Sequence, residues 1–175
     1  MDLLDAVTDV DHVTGPTNAP VVVVEYGDFE CPNCKQAVTA VEMLLEHLDG
    51  NVRFAYRHYP FEQVHPHAVQ AAEAAECAGA QGRFWEMHAI LFERQRALER
   101  VNLDAYAREI GLDMARFGDE LDRRVHLPRI QRDLDSGRRS GVRGTPGFFV
   151  NGRRQDVSFG LHQLIEAADA IVKGG

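Results

Sequence analysis

The run Val21-Val22-Val23-Val24-Glu25-Tyr26, followed shortly by Cys31-Pro32-Asn33-Cys34, constrains the fold more than any other feature of this chain. A β-branched stretch without apolar–polar alternation predicts a strand buried on both faces. Pro32 suits the first position of a helix, where its missing N–H leaves no bond unmade. Beyond it, Ala37, Val41, Leu44, Leu45 and Leu48 recur at helical spacing until Asp49-Gly50. The strand-to-helix transition therefore makes Cys31 the N-cap, its sulfur facing unpaired N–H groups and the positive end of the helix dipole. Thiol pKa values in such motifs fall from about 8.5 to roughly 3.5–7.5, and the thiolate is the reactive form. Cys34, one turn later on the inner side, is placed to attack a mixed disulfide formed at Cys31.

Cys-x-x-Cys is also half of a zinc site, with His65, His67 or Cys77 as the remaining donors. Pro32 at a helix start, and the lack of a second Cys-x-x-Cys or a His-x₃-His, favour redox chemistry over metal. No metal or organic cofactor is expected. Three cysteines do not make a disulfide scaffold, and Cys77, among Ala71, Ala74, Ala75 and Ala78, reads as a small buried hydrophobe.

Residues 52–59 read as a second strand, with Val52, Phe54 and Tyr56 inward and Arg53, Ala55 and Arg57 outward. Strand, helix and strand joined in this way form a parallel unit. Residues 62–140 read as four helical segments. Pro66 opens an Ala-rich one, Phe84 starts one reaching Leu98, Asn102 and Asp113 act as N-caps, and Pro128 marks a break. Phe148-Phe149-Val150, the turn dipeptide Asn151-Gly152 and a return strand predict a hairpin. Leu161, Leu164, Ile165, Ala168 and Ile171 form the stripe of a closing helix. A short edge strand is expected near residues 11–13.

At 175 residues the chain suits one domain, with room for an inserted subdomain. A net charge of −8 argues against nucleic acid or an anionic membrane surface as partner. No run is long enough to cross a bilayer, so membrane insertion is not expected. The start, Met1-Asp2-Leu3-Leu4, lacks a basic n-region and a long apolar h-region, which reads as cytoplasmic. An exported mature form whose signal has been removed would read the same.

The order β-α-β, helical block, β-β-α resembles the thioredoxin fold, and the large central block resembles the bacterial DsbA-like thiol-disulfide oxidoreductases. The residues carrying the resemblance are Glu25 through Cys34, Gly141 through Gly152, Asp11-His12-Val13, Gly15-Pro16, Ala19-Pro20, and the stretch from Arg57 to His67. The resemblance implies an α/β thioredoxin-like domain from residues 1–61 and 141–175, with 62–140 as an inserted helical subdomain. It implies Cys31 as nucleophile with an exposed sulfur, Cys34 as resolving thiol, and Glu25 as a buried acid that relays a proton to Cys34. Pro146 then follows a cis peptide bond, and Thr145 offers backbone groups to an extended peptide. Pro32 and Asn33 complete the substrate-facing surface. The implied partners are thiol- or disulfide-containing protein substrates and an unidentified redox partner. Asn33 stands where strong oxidants of the family usually carry a basic or aromatic residue, which leaves the direction of electron flow open. A non-catalytic peptide-binding or regulatory module is the rival reading. His65 and His67 are expected to cap or pack, and His88 to be a core histidine.

Overall fold

The structure, a computed structural model, describes residues 2–158 and 160–174. Among them, five strands form one sheet: β1 (His12–Thr14), β2 (Val21–Gly27), β3 (Val52–His58), β4 (Gly147–Val150) and β5 (Arg153–Gln155). Their spatial order is β1-β3-β2-β4-β5, with β2 and β3 parallel and the other neighbours antiparallel. The valine run occupies the centre, paired on both edges, so its backbone and both faces are withdrawn from water. Helix α1 (Pro32–His47) supplies the crossover from β2 to β3. At the β4–β5 turn, Asn151 and Gly152 have φ of 44° and 79°, the left-handed pair that a type I′ hairpin requires.

Between β3 and β4 run α2 (Ala68–Gly79), α3 (Phe84–Glu93), α4 (Arg100–Glu109), α5 (Met114–Asp122) and α6 (Leu127–Arg139). The Ala-rich α2 is their hub, packing against each of the other four, and α6 lies against β3. Closing helix α7 (His162–Gly174) packs on β4, β2 and α1. One apolar cluster is continuous from Val21, Val23, Phe54 and Tyr56 through α1 into the helical block; a smaller one, with Val24, Tyr26, Ala55, Tyr59 and Phe149, covers the opposite face.

Several expectations need correction. The central block has five helices, not four. The segment from Phe84 ends at Glu93, short of Leu98. Helix α4 starts earlier than expected: its N-cap is Glu99, and Asn102 Nδ2 instead donates to the Glu99 carboxylate at 2.7 Å. Pro128 stands in the first turn of α6, where a proline breaks nothing. Ala55 and Arg57 on β3 are buried rather than outward, because helices cover both faces of the sheet. Arg57 is held there by a bidentate bond to Asp11, at 2.9 and 3.0 Å, and by donating to Tyr26 Oη at 3.0 Å. Asp113 does cap α5, accepting from Arg116 N at 3.0 Å.

Candidate active site

The carboxyl end of β2 feeds the turn Asp28-Phe29-Glu30 and then α1, with Cys31 at the N-cap in extended conformation and Pro32 at the helix start. Cys31 N donates to the Asp28 carbonyl at 3.1 Å, which closes the turn tightly before the helix. From the helical block, Gln95 Nε2 donates to the carbonyls of Phe29 (2.9 Å) and Cys31 (2.8 Å). The reactive turn is thus clamped by a residue far along the chain.

Both cysteines are unpaired thiols, and their surroundings are unequal. Cys34 is fully buried and Cys31 is 6 % exposed, a narrower opening than the exposed sulfur expected for the nucleophile. A hydrogen bond from Cys34 is the largest influence on Cys31. With further help from Thr145 and from the N–H groups of Cys34 and Asn33, it overcomes burial and brings the Cys31 pKa down to about 5. Burial, the same hydrogen bond and the charge of Glu25 push Cys34 well above the ordinary thiol range. The surroundings therefore favour the charge on Cys31 and the proton on Cys34.

Glu25 lies on β2 opposite Tyr56 of β3 and Phe148 of β4, only 3 % exposed. Burial, reinforced by the Cys31 charge, raises its pKa to about 8. One of its oxygens, Oε1, is buried without a hydrogen-bond partner, as expected of a carboxyl kept close to neutral.

Across the site, the Thr145–Pro146 peptide bond is cis, and Cys31 Sγ lies 3.4 Å from the Thr145 carbonyl oxygen, a contact that is a hydrogen bond only while the thiol keeps its proton. A cleft of about 800 Å³ opens beside them, its wall including Asn33, Gln36, Thr145, Pro146, Arg154 and Asp156. The structure thus gathers Cys31, Cys34, Asn33, Thr145 and Pro146 in one place, with Pro32 heading α1 and Glu25 behind the sulfurs.

Two relationships were not anticipated. His65 Nδ1 bonds Asp28 Oδ2 at 2.8 Å, and His67 Nδ1 bonds Glu30 Oε1 at 3.0 Å, so both histidines hold the turn before Cys31. The repeated acid spacing of Asp28 and Glu30 against His65-Pro66-His67 was the available signal. The histidines also go to carboxylates rather than to sulfur, and neither cysteine of the motif lies in a metal-capable cluster among the described residues. A separate cluster of His12, His58 and Glu76 brings both Nε2 atoms to Glu76 Oε1 at 2.7 Å each. Those are hydrogen-bond separations, tighter than donor atoms sharing a metal, and His58 Nδ1 lacks the outer partner that a metal-bound histidine normally has. Cys77 is fully buried, its pKa pushed up to about 12 by burial and neighbouring carboxylates, and His88 is half-buried, with its Nε2 enclosed and its pKa pushed down to about 3 by desolvation.

The sequence matches the family described as Thioredoxin over residues 7–170. It is 49% identical over 166 residues to the Na(+)/H(+) antiporter NhaA 1 of Salinispora arenicola, a match covering 95% of this chain and 25% of the relative. The chain thus spans about a quarter of the length of the curated relatives it matches. Among solved structures, a thioredoxin-like oxidoreductase from Silicibacter pomeroyi superposes with a TM-score of 0.83 at 28% identity, covering 96% of this chain and 95% of the other. Wolbachia pipientis alpha-DsbA1 superposes with a TM-score of 0.78 at 18% identity, covering 96% of each chain. The chain belongs to the thioredoxin family, with the fold of its DsbA-like members.

Proposed function

We propose that this chain is a DsbA-like thiol-disulfide oxidoreductase exchanging the Cys31–Cys34 pair with thiols or disulfides of protein or small substrates. The observation that carries this reading is the asymmetry of the pair: one sulfur at the head of α1, 3.4 Å from Thr145 on the cleft wall and favoured as thiolate, the other fully buried one turn behind and disfavoured as thiolate. In the oxidising direction a substrate thiolate attacks Cys31 of the disulfide. The substrate–Cys31 bond forms, the Cys31–Cys34 bond breaks, and Cys34 leaves with the electron pair. Glu25, protonated at neutral pH, supplies the proton that Cys34 takes up. A second substrate thiol then displaces Cys31, so the substrate loses two electrons and the pair gains them. The reverse sequence reduces a disulfide, with Glu25 accepting the proton back.

Thr145 and Pro146 support the positioning role, since an extended peptide in the cleft would meet their backbone beside Cys31. The similarity to the Silicibacter thioredoxin-like oxidoreductase supports the class. The antiporter name belongs to chains of which about three quarters lie outside the matched stretch, so ion transport is not assigned to this one; no helix among the described residues is long and apolar enough to cross a membrane. Redox titration of Cys31–Cys34 against glutathione tests the reading. Reversible disulfide formation with turnover of a dithiol or insulin substrate is expected; an intact pair without turnover would leave a peptide-binding module.

A further inference from the structure

Asp28 is buried, and each of its polar groups is committed. Its carboxylate accepts from Glu30 N, Phe61 N and His65 Nδ1, each at 2.8 Å. Its carbonyl accepts from Cys31 N at 3.1 Å, and its own N–H points to Cys34 Sγ at 3.5 Å. A single residue therefore touches both cysteines through its backbone and His65 through its side chain. His65, with 19 % of its side chain exposed, is the member of this set that can exchange protons with water.

We propose that His65 is a positioning residue for the active-site turn, and that its imidazolium form, held on Asp28, favours the Cys31 thiolate and ties the reduction potential of the pair to pH. The inference rests on the redox reading above. The groups facing His65 are Asp28 and Glu30 of the turn and Cys31 at the head of α1; its neighbour His67 is occupied by Glu30. Burial disfavours the cation, but the hydrogen bond and charge of Asp28, with the charges of Cys31 and Glu30, outweigh it and raise the His65 pKa. Coupling between two sites is reciprocal, so a thiolate that favours protonated His65 is favoured by it in turn. Stabilising the thiolate stabilises the reduced pair, which makes the protein a stronger oxidant while His65 is charged. Rising pH removes that contribution.

The test compares wild type with His65→Gln, which can keep a neutral hydrogen bond to Asp28, and with His65→Ala, which cannot. The equilibrium of each with glutathione is measured at pH 6 and pH 9 by alkylation and mass spectrometry. Glu25, which also titrates in this range, is common to all three proteins and drops out of their ratios. At pH 6, His65→Gln is expected to shift the equilibrium toward the disulfide by about five-fold, with the ratio shrinking toward one at pH 9. His65→Ala should show the same shift together with a lower Tm. A His65→Gln ratio of one at both pH values, or the same shift at both, overturns the proposal while leaving disulfide exchange intact. A wild type that forms no Cys31–Cys34 disulfide overturns the functional reading and this proposal with it.

Discussion

The Cys31 sulfur lies 3.4 Å from the carbonyl oxygen of Thr145, a residue 114 positions further along the chain. The proposed nucleophile and the backbone proposed to hold a substrate thus come from the two halves of the sheet-forming sequence, before and after the helical block. Helix α1 presents one and the approach to β4 the other, and their alignment depends on β2 and β4 pairing in register, Glu25 opposite Phe148 and Tyr26 opposite Gly147.

Replacing either sulfur separates the two chemical roles. Cys31→Ser is expected to reduce insulin reduction and dithiol oxidation to background. Cys34→Ser keeps the attacking thiolate but cannot resolve the adduct, so a mixed disulfide should accumulate and be visible by mass spectrometry. Equal turnover by Cys31→Ser and wild type would remove the assignment.

The thiolate absorbance of the reduced protein should titrate with a midpoint near 5, not the ordinary 8.5 or so. Because the folded value lies below the unfolded one, the stabilisation is fully present above the unfolded pKa and disappears as pH falls through 5. The reduced protein should therefore gain Tm over the oxidised form between pH 4 and pH 8. Parallel melting curves of the two forms that track each other with pH would contradict this.

Glu25 has the opposite sign. Its folded pKa of about 8 lies above the unfolded value, so its contribution is most favourable below about 4.5 and is lost as pH rises through 8. Glu25→Gln removes the charge to be buried and should stabilise the protein at pH 8 by on the order of 2 kcal/mol. It should also slow the step in which Cys34 exchanges its proton. Urea melts and stopped-flow exchange kinetics read the two effects separately.

Arg57 and Asp11 form a buried pair that fastens the chain before β1 to β3. Asp11→Ala leaves the guanidinium uncompensated inside the protein and is expected to cost about 3–5 kcal/mol. Replacing Arg57 and Asp11 together with apolar residues should recover part of the loss. In wild type, burial would raise the Asp11 pKa, but hydrogen bonds from Arg57 and the Thr8 backbone prevail and lower it. Its stabilisation therefore persists to acidic pH and fades only as pH falls through that depressed value.

Much of the architecture is written in short stretches. The valine run, Pro32 after Cys31, Asp113 before α5 and Asn151-Gly152 each act on neighbours within a turn or a strand, so their effects can be read locally. Helix limits were less legible where caps gave no distinctive side-chain signal: Glu99 caps α4 without any side-chain bond, and the expected Asn102 serves Glu99 instead. On β3, alternation placed Arg57 outward, but a partner 46 positions earlier outweighed the pattern.

From sequence alone came the strand, the helix start and the two spaced sulfurs, because steric preference and the helix dipole operate over a few residues. Tertiary packing decided how deep Cys31 lies, which carboxylates His65 and His67 meet, and that Gln95 grips the turn. Those contacts join distant segments, each worth only about 1 kcal/mol, and become specific only when burial of the whole core brings both partners to the same place.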